Sequence, residues 1–189
     1  PVLGKPAVLD RRLGDIHPEG NPHVHMDPRN ILTLARELTN RFTVLDDGNA
    51  DYYRKRLTNF ETSWSRALKG WEIRAKKLSG MAVIVHHNSW IYLVSWLGLR
   101  QVATLEPKPG LPPTPSHLTK RLKVSRQQTV NAILRTPYDP ANGSEWLAIK
   151  TGIPAIVLPY TVARDAGPGA LARMFERTLS LLETARAGR

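Results

Sequence analysis

Residues 49–78 contain no proline, and Gly70 is the only weak helix former among them. Within this run Leu57, Phe60, Trp64, Leu68, Trp71, Ala75 and Leu78 recur at intervals of three and four, which draws one apolar stripe along a helix. Asn49 stands where a cap would open it. Such a helix is about 45 Å long at 1.5 Å per residue, long enough to span two lobes.

The segments on either side differ in kind. The first 27 residues carry Pro1, Pro6, Pro18 and Pro22 among glycines and asparagines and read as irregular chain. Asp27 and Pro28 then form a cap followed by proline at the first helical position, and Ile31, Leu32, Leu34, Ala35, Leu38 and Phe42 predict an amphipathic helix ending near Asp46. After Met81 short β-rich runs at 81–86, 101–105, 130–135 and 155–159 alternate with helical stretches at 89–97, 116–127, 144–151 and about 169–185. Alternation of this kind predicts an α/β lobe with a four-stranded, mainly parallel sheet and flanking helices. Ligands of such sheets sit beyond the carboxyl ends of the strands, here His86, His87, Glu106, Thr136 and residues 160–165. A single lobe cannot cover the whole long helix, so residues before Asp46 are expected to pack poorly or against a neighbouring chain.

Composition narrows the chemistry. Cysteine is absent, which removes disulfides, thiolate metal sites and a cysteine nucleophile. No apolar run approaches the roughly 20 residues of a membrane-spanning helix. The net charge of +11 raises the question of nucleic acid, yet the basic residues stand singly or in short clusters (Arg54, Lys55, Arg56; Lys76, Lys77; Lys120, Arg121, Lys123) without a basic tail, and read as a solvated surface. No nucleic-acid partner is expected.

Histidines are the most informative residues. His17, His23 and His25 precede the first helix, and His86 with His87 ends the first strand. Neutral imidazole is a common ligand of zinc, and two segments offering two or three imidazoles each are enough for a metal site if they converge. Binding then competes with protons, so affinity is expected to fall as the pH drops through about 6.5. Glu106 reads first as the start of a rigid loop, with prolines at 107, 109, 112, 113 and 115. Ser89 beside His87 lacks the Gly-x-Ser-x-Gly elbow of a hydrolase.

The segments GDIHPEGNPHVHMDPRN, VHHNSWIYLVSWLGL, VATLEPKPGLPPTPSHL and WLAIKTGIPAIVLPYTV, in this order around the long helix, resemble the solute-binding proteins of zinc and manganese ABC importers. The resemblance implies two α/β lobes joined by a backbone helix, in a bacterial receptor that is periplasmic or surface-tethered. It would capture Zn2+ or Mn2+ as transported ligand and deliver it to the importer's membrane permease. It further implies that residues 1–48 are the remnant of a mostly absent N-terminal lobe, 49–79 the linking helix and 80–189 the C-terminal receptor lobe. His23 matches the ligand of the family's Asn-Pro-His segment, and His87 the first ligand of the C-terminal lobe. Asp165 is a candidate fourth ligand, while His17 and His25 are candidates to replace a missing one. The alternative is a metal-dependent hydrolase on the same histidines, with Glu106 as general base.

Overall fold

The computed structural model describes residues 2–5, 7 and 17–188. Pro1, Pro6 and residues 8–16, which include the start of the GDIHPEG segment, lie outside the described residues.

Helix α1 (Pro28–Leu45) begins as its sequence predicts: the Asp27 carboxylate accepts from Arg29 N at 2.9 Å, and Pro28 occupies the first turn. Helix α2 (Ala50–Leu78) follows after a tight turn and runs unbroken for 29 residues. Asn49 precedes it but does not cap it. Its side-chain amide donates to the Asp46 carboxylate instead, which Tyr53 also engages at 2.6 Å, so Asp46 organises the turn between the two helices.

The remaining elements alternate: β1 (Ala82–Val85), α3 (Ile91–Leu97), β2 (Arg100–Thr104), α4 (Pro115–Gln127), β3 (Ala132–Arg135), α5 (Asn142–Thr151), β4 (Ala155–Val157) and α6 (Ala170–Ala187). The four strands form one parallel sheet in the order β2-β1-β3-β4. Side chains alternate across the sheet. Val83, Val85, Leu134 and Leu158 share one core with α2, α3 and α6, whereas Ile84, Ile133 and Leu105 share the other with α4 and α5.

This order fixes where a ligand can sit. The chain leaves β1 toward β2 on one side through α3, and leaves β3 toward β4 on the other side through α5, which lies on the opposite face. A crevice therefore opens between the carboxyl ends of β1 and β3.

The stripe of α2 is buried unevenly. Trp64, Trp71, Ala75 and Leu78 are buried, and Trp64, Trp71 and Phe175 pack as an aromatic cluster with centroids 5.1–5.8 Å apart. Arg74 ties the same stretch to α6 through Glu183, Ser180 and Glu176. Toward its amino-terminal end α2 packs chiefly on α1, whose Leu34, Leu38 and Phe42 remain 37–52% exposed. The first turn of α1 does find the core, with Ile31 buried and Pro28 O accepting from Trp64 Nε1 at 2.9 Å. The expectation of poor packing before Asp46 thus holds for the distal half of α1 and not for its base. Among the described residues no helix is long and apolar enough to cross a membrane.

Candidate metal centre

Strand β1 runs out into the crevice through His86 and His87. His86 N still donates to Leu134 O, and its ring is 1% exposed, with no protein partner for Nδ1 among the described residues. Burial lowers its pKa. His86 is thereby part of the core.

His87, the next residue, is half-buried and places Nδ1 2.6 Å from Glu106 Oε2. Their pairing follows from the sheet. Val85 is in register with Thr104 in the parallel β1–β2 pair, and backbone bonds continue past the strands, from Leu105 N to Val85 O and from Glu106 N to His86 O. Two residues beyond the register pair, His87 and Glu106 therefore stand side by side. Glu106 Oε2 also accepts from Gly110 N at 3.1 Å, which holds it in place. A carboxylate only accepts, so His87 Nδ1 carries a proton, and in the neutral ring Nε2 is the nitrogen with the lone pair.

His23 arrives from the opposite direction, on the loop before α1. Gly20 lets this loop return against residues 2–5: its φ is +106°, and a Cβ there would stand 2.4 Å from Val2 Cγ1. Asn21 follows. Its Oδ1 accepts from His23 N at 3.0 Å and lies 2.7 Å from His23 Nδ1, and its Nδ2 donates to Asn88 O at 2.9 Å. A turn over Val24–Met26 then sinks Met26 into the core and leads to Asp27.

The His23 and His87 rings are 6.3 Å apart and nearly perpendicular, and His25 stands 6.4 Å from His23. His25 Nε2 lies 3.2 Å from Tyr160 O, a carbonyl that accepts its proton and leaves Nδ1 as the free nitrogen. The Tyr160 ring packs on His23 and His25 at 5.6 and 5.3 Å, with its hydroxyl buried and its pKa raised by that burial. His17 is exposed, near enough to act electrostatically on His23. Asp165 is exposed in the loop between β4 and α6, and no hydrogen bond or ion pair joins it to the histidines.

Imidazoles that share one tetrahedral ion at about 2 Å from each nitrogen hold their centroids about 5 Å apart. The observed rings are spread wider, and among the described residues no three His, Asp or Glu side chains converge tightly enough to hold an ion as they stand. The electrostatics nevertheless keep the His23 ring unprotonated and available as a donor. Burial, then the neighbouring His25, His87 and His17, lower the pKa of His23 to about 4. At neutral pH its Nε2 lone pair is unprotonated, and the proton competition expected near 6.5 moves down for this residue.

Two residues of the site carry weak sequence signals. Glu106 stands at a strand end but opens a proline-rich loop, and the adjacency of consecutive strands in a parallel sheet sets it beside His87. For Asn21 the signal is an amide directly ahead of Pro-His.

A lobe with histidines gathered at the switch point of its sheet has the fold of periplasmic metal-binding receptors. The crystal structure of ZnuA matches with a TM-score of 0.74 and 19% identity over 90% of this chain and 61% of that one. The SBP FpvC from Pseudomonas aeruginosa, in complex with Mn2+, matches at 0.74 and 21% over 89% and 65%. A Cd-bound periplasmic metal binding protein from Candidatus Liberibacter asiaticus matches at 0.70 and 18% over 88% and 64%. These identities establish the shared fold, and the chain spans less than two thirds of each of these three proteins. No curated protein matches the sequence. The chain belongs to the family described as zinc-uptake complex component A, periplasmic, whose profile matches residues 5–185.

Proposed function

We propose that this chain captures a divalent transition metal, zinc before manganese, in the bacterial periplasm and hands it to the membrane permease of an ABC importer. The observation that carries this reading is the matched anchoring of the His23 and His87 rings. Each ring is anchored through Nδ1 to a side-chain oxygen, and each keeps Nε2 for an ion. His25 and His17 complete the donor set, with Asp165 reaching the ion only if its loop moves. Imidazole donors favour zinc over manganese, which prefers oxygen. The family description and the Mn2+ and Cd-bound proteins of the same fold support metal as the cargo. The division into residues 1–48, a linking helix 49–79 and a receptor lobe 80–189 belongs to this reading.

A hydrolase on the same histidines would need Glu106 as a free general base. That carboxylate is engaged by His87 Nδ1 and Gly110 N. The deciding measurement is zinc affinity by competition with a chelator. His87→Ala and His23→Ala are each expected to lower it at least tenfold. Unchanged affinity in both variants overturns the reading, as does zinc-dependent ester or phosphate hydrolysis that either variant abolishes.

A further inference from the structure

We propose that Asn21 is a positioning residue, which sets the tautomer of His23 and ties the His23 loop to the His87 loop before any metal arrives. The inference deepens the metal reading and rests on it for its consequence in affinity, though not for its geometry.

The orientation of the Asn21 amide is determined by its partners. Nδ2 faces Asn88 O, which can only accept, and Oδ1 faces His23 N, which can only donate. The atom 2.7 Å from His23 Nδ1 is therefore an oxygen, and two facing lone pairs would repel, so the proton resides on Nδ1. Without this contact a neutral imidazole distributes its proton between both nitrogens. A proton on Nε2 would block the one ring nitrogen that Asn21 leaves unengaged.

The second half of the role is the bridge. Asn88 directly follows His87 and starts the short turn Asn88–Trp90. One side chain thus grips the His23 backbone, the His23 ring and the carbonyl next to His87. The loop is independently moored, since Asn21 N donates to Leu3 O and Leu3 N donates to the Tyr92 hydroxyl. Leaving Asn21 in place therefore holds two ligand-bearing segments in fixed relation, and preorganisation of this kind raises affinity without adding a metal bond.

Asn21→Asp and Asn21→Leu separate the two halves. The aspartate keeps an acceptor for His23 and loses the donor to Asn88 O, whereas the leucine loses both. Two-bond 15N–1H NMR of the metal-free 189-residue chain at pH 7 reads the tautomer directly, and chelator competition reads zinc affinity. His23 is expected as the Nδ1–H tautomer in the wild type and in Asn21→Asp, and with a substantial Nε2–H population in Asn21→Leu. Zinc affinity is expected to fall on the order of 10–100-fold in Asn21→Leu and by less in Asn21→Asp. An Nε2–H tautomer in the wild type overturns the proposal without need of any variant. So does an Asn21→Leu protein that melts earlier yet keeps the tautomer and the affinity, because that is a purely structural role. Wild-type affinity in Asn21→Asp overturns the bridge alone. Should His23→Ala bind zinc as the wild type does, the ligand assignment fails, while the tautomer still decides on Asn21.

Discussion

His87 Nδ1 and Glu106 Oε2 lie 2.6 Å apart because parallel strands β1 and β2 deliver both residues to the same end of the sheet in register. The carboxylate fixes the ring and makes its far nitrogen a stronger donor. Removing it should therefore weaken metal binding although Glu106 itself need not touch the ion. Glu106→Ala is expected to cost about 10–100-fold in zinc affinity, and Glu106→Gln, which retains an acceptor without the charge, is expected to cost less. Calorimetric competition against a chelator checks the order, and an alanine variant that binds as the wild type does contradicts it.

The fold was legible where periodicity was strong. The three-and-four spacing from Leu57 to Leu78 gave α2 its length, and the apolar runs after Met81 gave a parallel sheet whose strand ends include His86 and His87. Separating those two was beyond the sequence, because adjacent residues at a strand end point to opposite faces, both faces of this sheet are covered, and only the packed structure shows that the cover extends over His86 and not over His87. The same holds for Asn49, whose cap position was right and whose amide was drawn to Asp46 by a turn of three residues. Family resemblance pointed to His23 and His87 as partners. The acceptors behind them are less legible: Asn21 lies only two residues from His23, but the contact that orients its amide reaches Asn88 O across 67 residues, and Glu106 meets His87 only through the register of β1 and β2.

Trp71 should be the most sensitive position in the joint between α2 and α6. It is 1% exposed, contacts Trp64 and Phe175, and donates Nε1–H to Glu176. Trp71→Ala removes a large buried aromatic, so urea unfolding should show a loss of about 3–5 kcal/mol. Arg74→Ala, which loses a partly buried network of ion pairs, should lose about 1–2 kcal/mol. A reversed order would mean that the charges and not the aromatic cluster hold the helices together.

The two ends of the α1–α2 pair should differ in local stability. Near Trp64 and Trp71 the helices rest on the sheet core, whereas Val44, Leu45 and Tyr52 at the far end are 60–81% exposed. Few buried apolar contacts mean low-energy openings. Backbone amides of residues 40–56 are therefore expected to exchange with deuterium at least tenfold faster than those of residues 64–76. Phe42→Ser, at the exposed end, should change global stability by less than about 0.5 kcal/mol. Uniform protection along α2 would show that the far end is covered by contacts between chains in solution.

Acid should destabilise the protein through His23 in a defined window. The folded chain holds its pKa at about 4, against 6.5 for a free imidazole, chiefly by burial and then by His25, His87 and His17. Between those values the unfolded chain binds a proton that the folded chain refuses, so stability rises with pH there. Read downward, the contribution is intact above about 6.5, is lost progressively as the pH falls, and is fully lost once the folded form also protonates near 4. His86, whose pKa burial also lowers, acts in the same sense. The Tm of the metal-free chain should accordingly decline between pH 6.5 and 4, and the decline should be shallower in His23→Gln, which cannot take up the proton. With zinc bound the decline should steepen, because protons then displace the metal from its imidazoles as well as favouring the unfolded chain. A His23→Gln protein with the wild-type slope would show that this histidine takes up its proton equally well folded and unfolded, and the electrostatic account of the site would fall with it.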